Sequence, residues 1–284
     1  MTPAVPGVSR TDLLVGDHRL SVSIATPAGS AATDSELRPP VLAVHGFGSD
    51  AEHTWGSTGH LRALTVAGRT VIAPDLLGHG RSDKPHDPAA YSLSGLVDDL
   101  AAVVDRLGAA EVDVIGYSLG ARLAFDLAGP GLDSAAPTSR AVAVRRLVLG
   151  GYDARQLFDG ISEATLRLAL ADPDALAGAD EQTRRIARIA FALPHNDLVA
   201  LAAVVRALPA TQAAPMEEAA GLPTVPTLVV AGDADPLAAG AHRLADALPT
   251  GEFLGIAGRD HISTLTSGVF RRSVVEFLDR RAAA

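Results

Sequence analysis

The pentapeptide Gly116-Tyr117-Ser118-Leu119-Gly120 has the residue types and spacing of a nucleophilic serine held on a sharp turn. The apolar run 111–115 before it predicts a buried strand, and the apolar spacing of 119–128 predicts a helix after it. So tight a turn leaves no space for a side chain at either glycine, so both are expected for steric reasons. The Leu119 N–H would begin the helix and face a negative oxygen formed at Ser118.

A serine hydroxyl is a weak nucleophile unless a general base takes its proton and an acid orients that base. Of the nine histidines, His261 has the best position, because it follows the last predicted strand, 253–256. The carboxyl ends of parallel strands meet at one edge of a sheet, so His261 is expected beside Ser118. Three aspartates follow predicted strands at that edge and are candidates for the acid: Asp153, Asp233 and Asp235.

The segment His45-Gly46-Phe47-Gly48 follows another predicted strand, 41–44. A serine nucleophile needs a second N–H donor for the oxyanion near the end of such a strand. We expect Phe47 to supply it, since the flanking glycines let the loop approach a substrate. The alternative is an ordinary strand-to-loop turn with the aromatic ring packed below it.

The composition of the 284 residues, 48% apolar and 20% charged, is typical of a globular protein with a large core. The formal net charge of −9 argues against nucleic acid or an anionic membrane surface as a partner. Because cysteine is absent, a disulfide framework, a thiolate nucleophile and a zinc–thiolate site are excluded. No apolar run reaches the length of a membrane span, and residues 1–30 lack the pattern of a secretion signal, so we expect a cytoplasmic protein.

Short apolar runs alternate with helical patterns along most of the chain. Strands are expected at 11–16, 20–26, 41–44, 70–73, 111–115, 146–149, 227–231 and 253–256. Helices are expected at 59–67, 91–107, 119–128, 238–248 and 269–281, and residues 1–10 are expected to be a loose tail. This alternation predicts an α/β protein with a mostly parallel sheet and helices on both of its faces.

The alternation stops after the strand at 146–149. Residues 153–221 show only helical patterns, at 162–170, 181–193, 197–208 and 216–220. We interpret 153–221 as a helical cap, or lid, inserted over the strand ends, and 1–152 together with 222–284 as the core. Four residues are candidates for lining a substrate pocket, although core packing explains them equally well: Trp55, Phe158, Phe191 and His195.

With these motifs the chain resembles, from about residue 11 to residue 281, the α/β-hydrolase superfamily of capped, single-domain serine hydrolases. Segments 45–48 and 116–120 match its oxyanion and nucleophile motifs, and segment 75–82 matches its structural Asp-x-x-Gly-x-Gly-x-Ser loop. Segment 232–236 resembles its Gly-x-x-Asp acid loop, which implies Asp235 as the acid, and Asp260-His261 matches the loop of the base.

The resemblance implies a serine hydrolase with Ser118, His261 and Asp235 as the triad, and hydrolysis of carboxylic esters through an acyl-enzyme is the leading interpretation. Dehalogenases and epoxide hydrolases of this fold use a carboxylate nucleophile, where this chain has serine. Hydrolysis of C–C bonds in diketone-like substrates, hydrolysis of lactones or thioesters, and a ligand receptor without turnover remain open alternatives.

No cofactor is expected, and no metal, since the sequence spacing of His79, His86 and His195 is not that of metal ligands. The expected partner is a small-molecule acyl substrate, and the chain is expected to be a monomer or a homodimer.

Overall fold

The computed structural model describes residues 7–28, 38–129, 142–155, 158, 161, 177–208 and 221–280. The predicted helices at 162–170 and 216–220 lie outside these residues. None of the helices in the described part of the chain has the length and apolar character that crossing a membrane would require.

Eight strands of the described residues form one sheet, in the order β1-β2-β4-β3-β5-β6-β7-β8. They are β1 (Gly7–Val15), β2 (His18–Thr26), β3 (Val41–Val44), β4 (Val71–Pro74), β5 (Glu111–Tyr117), β6 (Ala143–Gly150), β7 (Thr227–Gly232) and β8 (Gly251–Ile256). The strands β3 to β8 are parallel, whereas β2 pairs antiparallel with both β1 and β4. The mostly parallel sheet predicted from the sequence is therefore confirmed.

The described α-helices are α1 (His60–Val66), α2 (Leu93–Arg106), α3 (Leu119–Ala128), α4 (Glu181–Phe191), α5 (Leu198–Ala207), α6 (Ala241–Ala247) and α7 (Gly268–Asp279). Several begin where a polar side chain accepts a hydrogen bond from a free N–H of the first turn. Ser92 caps α2 in this way, Asp180 caps α4, and Asp197 caps α5. A single π-helical turn, Glu52–Gly56, follows the loop after β3.

The helices cover both faces of the sheet. In β3, Leu42 and Val44 belong to one apolar cluster, which includes buried residues of α2 to α6, while Val41 and Ala43 belong to a second, which includes residues of α1 and α7. A strand whose successive side chains are all buried reads as a continuous apolar run, and a central strand of a parallel sheet has this pattern.

The N-terminal strands differ from the sequence-based expectation. Residues 7–10, expected to be part of a loose tail, pair with β2, starting from Gly7 opposite Thr26. Their side chains are exposed, so no burial pattern marks them, and only the backbone pairing makes them a strand. The turn lies at Gly16 and Asp17, whereas residue 16 was expected to end the first strand, because Gly16 takes the left-handed conformation with φ 55°.

Candidate active site

Ser118 lies between β5 and α3 in a backbone conformation that residues other than glycine rarely adopt, with φ 54° and ψ −115°. Such a conformation costs on the order of 1–3 kcal/mol and persists only where the surroundings enforce it. A Cβ at Gly116 would overlap the carbonyl of Gly120, and a Cβ at Gly120 would overlap the carbonyl of Val44 in β3. The two glycines of the motif are thus required for close packing of strand against helix.

Asp235 and His261 form a buried pair at the same edge of the sheet. The His261 Nδ1 lies 2.8 Å from Asp235 Oδ2, and the two residues are only 8% and 3% exposed. The other carboxylate oxygen of Asp235 accepts the Leu237 N–H at 2.9 Å, which fixes the carboxylate plane. An ionised carboxylate in this position holds the Nδ1–H tautomer of the imidazole and leaves Nε2 as a proton acceptor.

The two other candidate acids have different partners. Asp233 is exposed, and its Oδ1 accepts the Gly258 N–H at 2.7 Å. Asp153 is buried, and it accepts the Gly240 N–H at 3.0 Å and pairs with Arg155. The structure therefore brings only Asp235, of the three sequence-predicted aspartates, to His261.

Ser118 and His261 are neighbours through β6. The Ser118 N–H donates to the Gly150 carbonyl at 2.8 Å, and a Cβ placed on the next residue, Gly151, would lie 2.9 Å from His261 Cε1. Within the described part of the chain, no hydrogen bond joins Ser118 Oγ to the imidazole. Hydrogen bonds between nucleophile and base are often long or poorly aligned in ligand-free sites and tighten when substrate binds.

Tyr117 holds the loop of His261, a role that the sequence analysis missed. The phenol hydroxyl donates to the backbone carbonyl of His261 at 2.5 Å, and the two rings lie 5.3 Å apart. Burial raises the pKa of the Tyr117 phenol well above its ordinary value, so the hydroxyl remains a donor. The middle position of a Gly-x-Ser-x-Gly motif carries no pattern that would have signalled this contact.

The two candidate oxyanion donors are the backbone N–H groups of Leu119, the residue after Ser118, and of Phe47. Leu119 is the first residue of α3, and the first N–H groups of a helix have no partner within it. Among the described residues, the Phe47 N–H also has no hydrogen-bond partner. The loop that carries Phe47 approaches the serine closely, since a Cβ on Gly46 would lie 3.3 Å from Ser118 Cβ.

His45 joins this loop to the loop after β4. Its Nδ1 lies 2.8 Å from the Gly46 carbonyl, and its Nε2 accepts the Leu76 N–H at 2.9 Å. These partners require a neutral ring with its proton on Nδ1, and burial lowers the pKa of His45 accordingly. The conformation of residues 45–48 is therefore set by tertiary contacts.

The four candidate pocket residues lie in different surroundings. The Phe158 ring packs edge-on against that of Phe47, with centroids 5.1 Å apart, and Phe191 is partly buried against the same apolar cluster. His195 Nε2 lies 2.9 Å from Asp50 Oδ2. Trp55 is fully buried in the second cluster, on the opposite face of the sheet from Phe47.

Comparisons with known proteins agree with this architecture. A family model described as the alpha/beta hydrolase fold matches residues 39–130. Epoxide hydrolase 2 of Siraitia grosvenorii is 39% identical over 88 residues, which are 31% of this chain and 27% of that protein. The chain therefore aligns with about a quarter of the length of this curated relative.

Solved structures match nearly the whole chain. The enol-lactonase of Burkholderia xenovorans LB400 has a TM-score of 0.68 at 22% identity, over 95% of this chain and 100% of that chain. A thermophilic esterase of Thermogutta terrifontis has a TM-score of 0.69 at 20% identity, over 95% of this chain and 98% of that chain. The fold is thus the α/β-hydrolase fold. The family match over residues 39–130 agrees with this fold.

Proposed function

We propose that this protein is a serine hydrolase that cleaves carboxylic esters through an acyl-enzyme on Ser118. The observation that carries the proposal is the strained Ser118 at the sheet edge where His261 pairs with Asp235 at 2.8 Å. Nucleophile, base and acid then come from the ends of three different strands, in the chain order Ser, Asp, His that this fold uses.

In the proposed reaction, Ser118 Oγ attacks the ester carbonyl while His261 Nε2 takes its proton. Asp235 stabilises the resulting imidazolium, and the N–H groups of Phe47 and Leu119 donate to the tetrahedral oxyanion. His261 then returns the proton to the leaving alkoxide, which departs as an alcohol. Water, deprotonated by the same imidazole, attacks the acyl-enzyme and releases the carboxylic acid.

The residue at position 118 favours this chemistry over epoxide opening, although the curated relative is an epoxide hydrolase. Epoxide hydrolases of this fold form an ester between an Asp carboxylate and the opened ring, and a serine at that position would instead give an ether that water does not readily cleave. An acyl-serine ester, by contrast, is hydrolysed by the same machinery that formed it.

We further propose that residues 153–221 act as a lid over this site. Two contacts support the proposal: Asn196 Nδ2 donates to the Gly48 carbonyl at 2.8 Å, and Ile189 of α4 lies against Gly48. The Phe158 ring meets Phe47 beside the candidate oxyanion donor. A lid seated on this loop would limit the size of the acyl group that reaches the serine.

The test combines turnover with covalent labelling. The wild-type chain should hydrolyse p-nitrophenyl butyrate, and Ser118→Ala should lower kcat about 10⁴-fold or more. Ser94→Ala, which removes a partly exposed hydroxyl in the first turn of α2, is the matched control and should leave kcat unchanged. A fluorophosphonate should attach to Ser118, as located by mass spectrometry.

Two outcomes would refute the proposal. Attachment of the label to a residue other than Ser118 would refute the assignment of the nucleophile. Labelling of Ser118 without turnover of esters would refute the ester hydrolase, and a panel of lactones, thioesters and diketones would then separate a hydrolase of another bond from a binding protein.

A further inference from the structure

A second group of polar side chains lies where the loop after β3 meets the segment between α4 and α5. Asp50 is in that loop, His53 is in the π-helical turn Glu52–Gly56, and His195 is in the segment between the two helices. Their ligand atoms all lie within 4.8 Å of one another. The group could not be predicted from sequence spacing, because His195 is 145 residues away from Asp50.

Asp50 lies at hydrogen-bond distance from both histidines, slightly closer than two ligands of one shared ion would stand. His53 Nδ1 is 2.9 Å from both oxygens of Asp50, and His195 Nε2 is 2.9 Å from Oδ2. In a tetrahedral zinc site with bonds of about 2.0–2.1 Å, the ligand atoms lie about 3.3 Å apart. Small rotations of the three side chains would therefore make room for an ion between them.

The charge at the site also favours a cation. The Asp50 side chain is only 8% exposed, yet among the described residues its ion-pair partners are imidazoles alone, with no arginine or lysine. A buried carboxylate without a permanent positive partner is a ready ligand for a divalent ion.

The surroundings hold the three ligands in place. The His53 N–H donates to Asp50 Oδ1 at 2.7 Å and so directs Oδ2 towards His195. Asn196, next to His195, is tied to the carbonyls of Gly48 and Ala190 at 2.8 and 3.0 Å. Both imidazoles are 45% exposed on the side-chain scale, which leaves the fourth coordination position open to water.

We propose that Asp50, His53 and His195 bind a zinc ion that joins the lid segment to the core. Two imidazoles and one carboxylate are a ligand set that zinc accepts, whereas magnesium and calcium prefer oxygen ligands alone. None of the three ligands belongs to the proposed triad, and the ion supplies no step of ester hydrolysis. Its bound ion would connect the loop after β3 to the segment between α4 and α5.

The experiment uses the untagged, chelator-treated chain. Isothermal titration with zinc chloride should give one site per chain, and His53→Gln and His195→Gln should each weaken binding at least about tenfold. Both histidines are exposed, so these variants should fold. Cobalt(II) should bind at the same site and give visible absorption bands that both variants lose.

The matched control is His86→Gln. His86 also pairs with a carboxylate between core and lid, that of Asp197 at 2.9 Å, but no third ligand is grouped with this pair among the described residues. Its zinc affinity should equal that of the wild type, and magnesium should not compete. Absence of zinc binding by the wild type, or binding that survives loss of His195, would overturn the proposal.

Discussion

The hydroxyl of Tyr117 offers a sharp test of how the proposed base is positioned. This hydroxyl donates to the backbone carbonyl of His261 at 2.5 Å, within the core beneath the imidazole. Tyr117→Phe removes one oxygen atom and keeps the ring that packs against His261. The variant therefore alters the hold on the His261 loop without creating a large cavity.

The expected magnitudes follow from that single hydrogen bond. A buried carbonyl left without its donor costs about 1–3 kcal/mol of stability. If the His261 loop, released from Tyr117, moves enough to raise the activation free energy by about 1.4 kcal/mol, kcat falls about tenfold. KM should change little, because Tyr117 lies below the proposed catalytic residues and has only 2% of its surface exposed.

Tyr91→Phe is the matched control for this experiment. The Tyr91 hydroxyl donates to the Pro85 carbonyl at 2.6 Å, and the residue is 3% exposed, so the same kind of hydrogen bond is lost away from His261. Both variants should lose a similar amount of stability in urea unfolding, while only Tyr117→Phe should lose kcat and react more slowly with a fluorophosphonate. An equal fall in kcat for the two variants, or none for Tyr117→Phe, would refute the positioning role.

Three further predictions concern titratable side chains that are wholly or partly buried. Asp235→Asn should lower kcat about 10³–10⁴-fold, because the carboxylate no longer holds the His261 proton on Nδ1. Asp233→Asn should leave kcat nearly unchanged. Equal losses of kcat in the two variants would refute the assignment of the acid. Burial lowers the pKa of His60 and of His79 from 6.5 to about 3, so the native state keeps both neutral while the unfolded chain takes up protons. Each histidine should therefore cost about 1.4 kcal/mol of stability per pH unit as the pH falls from 6.5 towards 3. In urea unfolding, the free energy of unfolding should fall less between pH 7.0 and pH 5.5 for His60→Asn than for the wild type. Burial raises the pKa of Asp99 from 3.8 to about 6, so the ionised carboxylate weakens the native state progressively as the pH rises from 4 to 6. Asp99→Asn should thus add about 1 kcal/mol at pH 7, a value reduced for its partial exposure, and nothing at pH 3.5; a gain that is independent of pH would contradict this cause.

Local sequence patterns were sufficient for the architecture. Strands such as β3 and β5 are nearly continuous apolar runs because both of their faces are buried. Such a run can be recognised in the sequence without any knowledge of the neighbouring strands. The glycines at 116 and 120 were also predictable, since the turn between strand and helix excludes a side chain by short-range sterics. The exposed strand residues 7–10 were not predictable, because backbone pairing with β2 leaves no mark on their side chains.

The tertiary structure decided which distant groups meet. The sequence alone left Asp153, Asp233 and Asp235 as candidate acids, and resemblance favoured the last; in the structure only Asp235 reaches His261, while the others are bound by local partners. The contact of Tyr117 with the His261 carbonyl spans 144 residues of sequence. The grouping of Asp50, His53 and His195 spans a similar separation. Such contacts depend on how loops from different strand ends pack together. Neither the periodicity of the sequence nor the spacing of its motifs tells which loops come into contact.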